Sequence, residues 1–579
     1  MEHLFVTCAI LFALYYVYHR WTRISVADIP GPKANSFLLG ELLVRPYQAP
    51  FANFKVPGHQ AEVFQSQAAE TDFKWQAEFG GVIRVKGILG TDRLLVSDPK
   101  ALHHIFASGY NIRKTDFRLE GTRILTGPGL GYADGENHHR QRKINSPAFG
   151  MAQTRSYVPI YLAYANLCTE WKERLGGDTS IVVDTPSYFT RFFLDVIGEV
   201  AFDYQFGATD NANDPLAAIL SSVVPKFTTP SKFDIFVLGL LELAPVPLLL
   251  AFMRYAPTKG FRNSRHVERV ATAVAKRLVE EKSEALMAGK SKRDIMSLLV
   301  KANASADPRS NLSANELYAQ MQTIMQAGHE TTATTMSWTI LELTRHPEVQ
   351  AKLRAEIQAA QRIIHERGDT ELTAADFDSM AYTVAVMKET LRFHPVVFNT
   401  LRGAARDEVL PLSKPIVTLS GKTITELPIP KNQILVTSIA GYNRNTDVFG
   451  QDAQQFNPER WLDGTVKPAA NVGIGMFANL MTFGSGHRGC IGWRFAIYEY
   501  QAFLTELVKN FEFSMDPTIQ VRREPGLVIK TEQDLKIGKG FESKEREEKK
   551  TGNIQTLRED REDHESMKMP LRVVPLDQM

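Results

Sequence analysis

A ten-residue run late in the chain reads Phe483-Gly484-Ser485-Gly486-His487-Arg488-Gly489-Cys490-Ile491-Gly492. It sets one cysteine in a glycine-rich loop just ahead of a helix-like stretch, Trp493–Leu507. A cysteine binds metal as the thiolate, and the N–H groups at a helix start stabilise that anion. Glycines let the backbone approach a large flat ligand and aim N–H groups at the sulfur. A lone cysteine beside glycines is more often a small buried hydrophobe. Two other runs carry candidate chemistry. Glu389-Thr390-Leu391-Arg392 puts a carboxylate and a guanidinium on one helix face, one turn apart. An ordinary surface ion pair has the same pattern. Ala327-Gly328-His329-Glu330-Thr331-Thr332 lies within a long helical stretch. There Gly328 costs about 1 kcal/mol relative to alanine, and a run with Thr331, Thr332, Thr334 and Thr335 is poor helix material. Such local failures mark function or strain. Hydroxyls bonded back to the i−4 carbonyls would bend the helix in any case.

Composition narrows the chemistry further. Among 579 residues only Cys8, Cys168 and Cys490 are cysteines, with no C-x-x-C pair. That excludes zinc ribbons, iron–sulfur patterns and a secreted disulfide scaffold. Lys and Arg number 67 against 65 Asp and Glu, a net charge of +2. Nucleic-acid binding driven by bulk charge is excluded. Apolar residues at 44% and charged residues at 23% are ordinary for a globular protein with a large core.

The elements that must hold these runs are mostly helices. Val82–Lys86 and Arg93–Ser97 read as a β-hairpin, and Asp98-Pro99 caps a following helix. Ser313-x-x-Glu316 is a capping box that opens a helix to about Arg345, roughly 50 Å at ~1.5 Å per residue. Pro347–Gln361 and Met380–Phe393 read as two more helices. Leu4–Tyr18 is an apolar run followed by His19, Arg20 and Arg23. It reads as an uncleaved membrane anchor, with the rest of the chain cytosolic. Phe233–Tyr255 is very apolar, and Pro245 and Pro247 argue against a second spanning helix. It reads as a surface element dipping into the bilayer or as a buried helix pair.

F-x-x-G-x-R-x-C-x-G matches at every position, and with it the sequence resembles the cytochrome P-450 family, the haem-thiolate monooxygenases. The family's fold is mainly α with a small β region (α+β), here with an N-terminal membrane anchor helix. The resemblance divides the chain into an anchor (1–22), a proline hinge and linker (23–40), and a catalytic domain (41–540). It adds a charged segment (541–566) and a last strand (567–579). Residues 44–63 interrupt the pattern as a possible insertion. Phe541–Glu565 holds fifteen charged residues in twenty-five, nine of them acidic, and reads as a poorly ordered insertion into a hairpin. Met569–Leu576 resembles the family's last strand, with its hairpin partner expected near Gly526–Lys530.

The resemblance implies haem b (iron protoporphyrin IX) held through Cys490, with Phe483 and Gly328 beside it. The implied propionate partners are Arg488, Arg402 and Arg142. His138 stands where the family often has tryptophan and can still donate a hydrogen bond; a lone surface histidine is the competing reading. Pro458-Glu459-Arg460-Trp461 follows at the family's distance, so Glu389, Arg392 and Arg460 are expected to form a buried structural triad. Glu330 and Thr331 match the acid–alcohol pair that feeds protons to dioxygen in a groove of the bent helix. An anionic sulfur favours O–O cleavage, and positioned acids supply the protons. The implied partners are an NADPH-dependent flavoprotein reductase, dioxygen, the membrane and a lipophilic small-molecule substrate. No nucleic acid is among them. Lys143, Arg140 and Arg494 would offer charge to the reductase on the Cys490 side. Val396–Thr400, Gln320, Thr323, Ile324 and the Tyr110–Leu130 loop are candidate substrate contacts, for each of which core packing is the competing reading. The expected location is the endoplasmic reticulum membrane, and the expected role secondary metabolism. A non-oxygenating haem-thiolate isomerase or dehydratase is the alternative activity, and Glu330 and Thr331 argue against it. A non-catalytic relict is a third reading, opposed by the intact loop, triad and acid–alcohol pair.

Overall fold

A computed structural model describes residues 24–33, 67–209, 232–531 and 569–576, less short breaks within those ranges. The expected anchor at Leu4–Tyr18, the interruption at 44–63 and the charged segment at 541–566 lie outside the described residues. Among the described residues, no helix is long and apolar enough to cross a membrane.

The first elements form a sheet that walls one side of the molecule. Strands β1 (Val82–Lys86) and β2 (Asp92–Val96) make the expected hairpin, in register Val82 to Val96. Asp98 then caps α1 (Pro99–Ala107) by accepting from Ala101 N, with proline at the first turn. After β3 (Ile112–Arg113) comes α2 (Asp116–Thr126), capped by Thr115. Much of the expected Tyr110–Leu130 loop is therefore helix. α3 (Gly135–Asn145) follows. Next come β4 (Ile181–Asp184) and the buried α4 (Thr185–Ile197).

The apolar stretch folds as two helices, α5 (Lys232–Leu243) and α6 (Val246–Tyr255), parted where Pro245 and Pro247 forbid continuation. One side buries Leu241, Leu249 and Met253 against Phe117 and Ile124 of α2. The other leaves Leu248 and Tyr255 60% and 73% exposed. It is a helix pair with an apolar outer face.

α7 (Lys259–Met287) leads to the central helix, α8 (Ala314–Arg345). The capping box at its start is complete in both directions. Ser313 N donates to Glu316 at 2.8 Å, and Glu316 N donates to the Ser313 hydroxyl at 3.3 Å. The helix ends at His346, because Pro347 opens α9 (Pro347–Glu366). α10 (Ala381–Phe393) carries the E-x-x-R run. Strands β5 (Asn399–Ala404) and β8 (Ile434–Ser438) complete the sheet in the order β1-β2-β8-β5-β3, and β6 (Glu408–Val417) pairs with β7 (Thr423–Ile429). The cysteine loop opens α11 (Trp493–Asn510), which leads into β9 (Phe511–Ser514).

The last strand corrects one expectation. β10 (Val521–Glu524) pairs with β11 (Val528–Thr531), so the described part of the expected partner, 528–530, is already paired. β12 (Pro570–Pro575) lies between β4 and β9, with Pro570 opposite Asp184 and Pro575 opposite Phe511. A three-stranded sheet thus ties the chain's end to α4 and α11.

The core where α4 meets α11 is aromatic. Phe503 sits 4.6 Å from Phe192 and 4.8 Å from Phe193, both edge-on. Truncating such a ring leaves a cavity the backbone cannot close. Phe503→Ala is expected to destabilise the protein by about 3–5 kcal/mol, read as a lowered thermal midpoint of the purified protein.

Candidate active site

The cysteine loop is shaped by contacts that exclude side chains. Gly484 and Gly486 have φ of +69° and +62°. A Cβ on Gly486 would lie 2.1 Å from the Phe106 carbonyl oxygen, and one on Gly489 would lie 2.6 Å from the Met476 sulfur. Cys490 N donates to the Phe483 carbonyl at 2.7 Å, closing the turn. Cys490 keeps accessible surface, and the protein packed around it pushes its thiol up, opposed by the Gly492 N–H and the Arg142 guanidinium. Among the described residues no group of three histidine, cysteine or acidic side chains could hold a metal alone. A metal at Cys490 must bring other ligands with it.

The triad forms as expected and supports this loop. Glu389 takes Arg392 at 2.6 and 2.8 Å and Arg460 at 3.1 Å, with all three side chains fully buried. Sequence reasoning missed three partners. Trp461 Nε1 and Asn457 N donate to Glu389 at 3.0 and 2.8 Å, and Asp452 binds Arg460 at 2.7 Å. Asn443 carries the connection onward. Its carbonyl accepts from Arg392 at 3.0 Å, its side chain accepts from Met481 N at 3.0 Å, and its amide donates to Thr482 at 2.9 Å. Met481 and Thr482 directly precede Phe483, which packs beside Phe477.

Cations converge nearby in excess of their anions. Arg142 donates to the Gly489 carbonyl at 2.8 Å. Arg488 pairs with Asp134 and donates to the Ala133 carbonyl at 3.1 Å. Arg402 is 7% exposed and lies over the Phe106 ring. Burial, with Arg488 and Arg118 nearby, lowers Arg402 to about 10. No pattern of residues pointed to Lys114, which donates to the Gly131 carbonyl at 2.5 Å. Burial and the neighbouring arginines lower it to about 7. His138 is no surface histidine. It is 3% exposed, its Nδ1 lies 2.9 Å from the Tyr110 hydroxyl, and burial with the same cations lowers it to about 3. Buried like charges raise one another's cost, so this cluster calls for an anion. Two carboxylates on a flat ligand held at Cys490 would meet that demand. The residues present fit haem b.

On α8 the expected acid and alcohol point apart. Consecutive helical residues are turned by about 100°. Thr331 keeps accessible surface and donates to the Ala327 carbonyl at 2.8 Å. Glu330 is fully buried, 3.5 Å from His329 Nε2 and near Thr190 of α4. Burial raises its carboxyl to about 8. Gly328 has a packing reason. A Cβ there would lie 2.8 Å from Ile197 of α4, and the open residue of this turn is Ala327. The hydroxyls of Thr332, Thr335 and Thr339 all bond back one turn, and the helix runs unbroken through them. A second buried acid went unread: Glu499 of α11, whose carboxyl is raised well above the ordinary range by burial and opposed by Thr332.

Other candidates sort by contact. Gln320 is committed to Gln141 at 2.8 Å and to Leu130 N at 3.1 Å. Thr323 donates to the Ala319 carbonyl at 2.7 Å, and Ile324 is buried. Val396 and Phe398 line a hollow with Thr334 and Trp338, one and two turns beyond Thr331. Asn399 and Thr400 lie on β5. Arg140 binds Glu316 at 2.5 Å and the Asn311 carbonyl, so it locks α3 to the start of α8 and is not a free docking charge. Lys143 is exposed, and Arg494 stacks on Trp493.

The chain matches the family model described as Cytochrome P450 over residues 50–537. It is 33% identical over 443 residues to Cytochrome P450 monooxygenase claP of Ampulloclitocybe clavipes, covering 76% of this chain and 80% of that protein. It is 32% identical to Cytochrome P450 monooxygenase 91 of Postia placenta, covering 76% and 82%. Ganoderic acid synthetase CYP5150L8 of Ganoderma lucidum is 29% identical over 87% of this chain and 91% of its own length.

Two outcomes follow for this site. Glu389→Ala leaves the buried Arg392 without a carboxylate and Arg460 with Asp452 alone, so a loss of about 3–5 kcal/mol is expected in chemical denaturation. Glu330→Gln is expected to stabilise the fold increasingly as pH rises. Below the unfolded-state value of 4.5 both states hold the proton, and between there and about 8 only the folded state does. The wild type therefore loses stability across that window and the variant does not. Thermal midpoints measured against pH check the divergence.

Proposed function

Because the chain belongs to the cytochrome P450 family, we propose that it is a haem-thiolate monooxygenase that inserts one atom of dioxygen into a lipophilic substrate, with electrons from NADPH through a flavoprotein reductase. The observation that carries this reading is the pairing of a single cysteine, in a loop where Gly486 and Gly489 have no room for a side chain, with a cluster of cations short of anions. Haem b, once bound, supplies the activation of dioxygen, and a thiolate ligand favours cleavage of its O–O bond.

In this reading Cys490 would bind the haem iron through its sulfur, and Arg142, Arg402 and Arg488 would hold the propionates with Lys114 and His138 beside them. Thr331 spends its proton on the Ala327 carbonyl and keeps its oxygen lone pairs free to accept a hydrogen bond. Glu330 retains a proton near neutral pH and sits one residue away on the adjoining face. In this reading it is the store of the proton that a general acid supplies. Lys143 and Arg494 offer positive charge on the cysteine side to a reductase. The run at Leu4–Tyr18 anchors the enzyme in the endoplasmic reticulum membrane with its catalytic domain in the cytosol. The outer face of α5 and α6 rests at the lipid surface. A relative named for ganoderic acid synthesis supports a role in secondary metabolism.

The test is turnover with reductase, NADPH and isotopically labelled dioxygen. The product is expected to carry one labelled atom. A product without label would favour the isomerase or dehydratase activity. Cys490→Ala is expected to abolish turnover and the thiolate signature of the reduced carbon-monoxide complex. Thr331→Ala is expected to keep that signature while product per NADPH falls on the order of tenfold or more and peroxide rises. Normal coupling in Thr331→Ala would remove Thr331 from the relay.

A further inference from the structure

The turn that joins β6 to β7 is apolar outside and closed inside. Across 415–425, Lys422 is the one ionised side chain, while Pro415, Ile416, Val417, Leu419 and Ile424 are apolar. Val417 stands opposite Thr423 at the end of the ladder. Thr418 is buried, and its neighbours Val417 and Leu419 are 60% and 63% exposed. Alternate residues of an extended chain share a face, so these two apolar side chains project together.

A turn in water can leave its N–H groups to the solvent. Here the N–H groups of residues 418 to 422 all donate within the protein. Thr418 N reaches the Lys422 carbonyl at 2.9 Å, and Gly421 N reaches the Thr418 carbonyl at 2.9 Å. Lys422 N donates to the Thr418 hydroxyl at 3.2 Å. The other two go to residue 28. Leu419 N donates to the Asp28 carbonyl at 2.8 Å, and Ser420 N donates to its carboxylate at 2.8 Å. The Ser420 hydroxyl donates to the same carboxylate at 2.6 Å. Exposed apolar side chains over satisfied N–H groups suit a medium with little water, where each unpaired group is costly.

Asp28 ties this turn to the start of the chain. It follows the apolar run Leu4–Tyr18 by ten positions, which span at most about 35 Å. The segment around it is fixed to the domain. Val26 and Ile29 are buried, Arg84 N donates to the Pro30 carbonyl at 2.9 Å, and the Arg84 guanidinium donates to the Ala27 carbonyl at 2.5 Å. Arg84 lies opposite Leu94 on the β1–β2 hairpin, and the adjacent Arg93 pairs with Glu242 of α5 at 2.7 Å. One hairpin therefore carries both the segment that holds the β6–β7 turn and the helix pair with the apolar outer face.

We propose that the β6–β7 turn is a second lipid contact, with Val417 and Leu419 set into the boundary between headgroups and acyl chains, so that turn and helix pair together fix the tilt of the catalytic domain on the bilayer. Apolar side chains beside a lysine suit that boundary, where Lys422 meets anionic headgroups. This inference rests on the membrane-anchor reading of Leu4–Tyr18 above.

Its test is photolabelling of the full-length haem-loaded protein on phosphatidylcholine–phosphatidylserine vesicles that carry a phosphatidylcholine with a carbene precursor high in its acyl chain. Peptide mapping by mass spectrometry is expected to find label in 415–425 and none in the peptide with Ile363, which is 60% exposed on α9. Val417→Asp combined with Leu419→Asp is expected to lose the label and to change the haem tilt read by polarised absorption of oriented bilayers. Haem content, the carbon-monoxide signature and flotation with vesicles are expected to persist. Flotation of the wild type without label in 415–425 would overturn the proposal. So would cross-linking of the turn to a second copy of the chain, which would make it a self-association site. An unchanged tilt in the doubly substituted protein would overturn the orienting role. A wild type that fails to float with vesicles would defeat the anchor reading, and this contact with it.

Discussion

One carboxylate shared by two buried guanidiniums holds the centre of this protein in place. Glu389 is fully enclosed, and each of its oxygens accepts more than one donor. Such a group tolerates no vacancy among its partners, because an unpaired charge there has no water to turn to. The consequence travels outward in short steps. Arg392 fixes the Asn443 carbonyl, and the Asn443 side chain fixes Met481 and Thr482. Thr482 in turn donates to the Leu391 carbonyl, back on the helix of the carboxylate itself. The loop that presents Cys490 is thus tied to a buried ionic knot by hydrogen bonds, with Leu480 and Met481 anchored in the core.

The opposite wall is built from electrostatic shortage. Around Tyr110, His138 and Gly131 the chain gathers cations that depress one another and gives them few acids. Folding brings these charges together at a cost that a bound dianion offsets. The same logic separates the roles of the central helix. Its open turn at Ala327 and Thr331 borders the site, while Glu330 and Gly328 face α4, one storing a proton and the other making room for Ile197.

Legibility followed locality. The cysteine loop, the E-x-x-R run and the capping box at Ser313 are chemical statements made within ten residues, and the structure carries each of them at the stated positions. The partner of the last strand was not legible. β12 finds β4 and β9 across most of the chain, and a run of alternating apolar residues holds no record of which distant edge will take it. Lys114 stands out by no pattern in its polar stretch, and only the fold brings the Gly131 carbonyl and the neighbouring arginines to it. Gly328 was noticed for the right reason, its poor fit in a helix. Its actual constraint is steric contact with a neighbour 131 positions earlier, which spacing alone does not reveal.

The central claim is that a sulfur atom of this chain binds the iron. X-ray absorption at the iron edge of the purified ferric protein tests it most directly. A single sulfur neighbour to iron, absent when residue 490 is replaced, is the predicted result. An iron surrounded only by nitrogen and oxygen in the native protein would contradict the account.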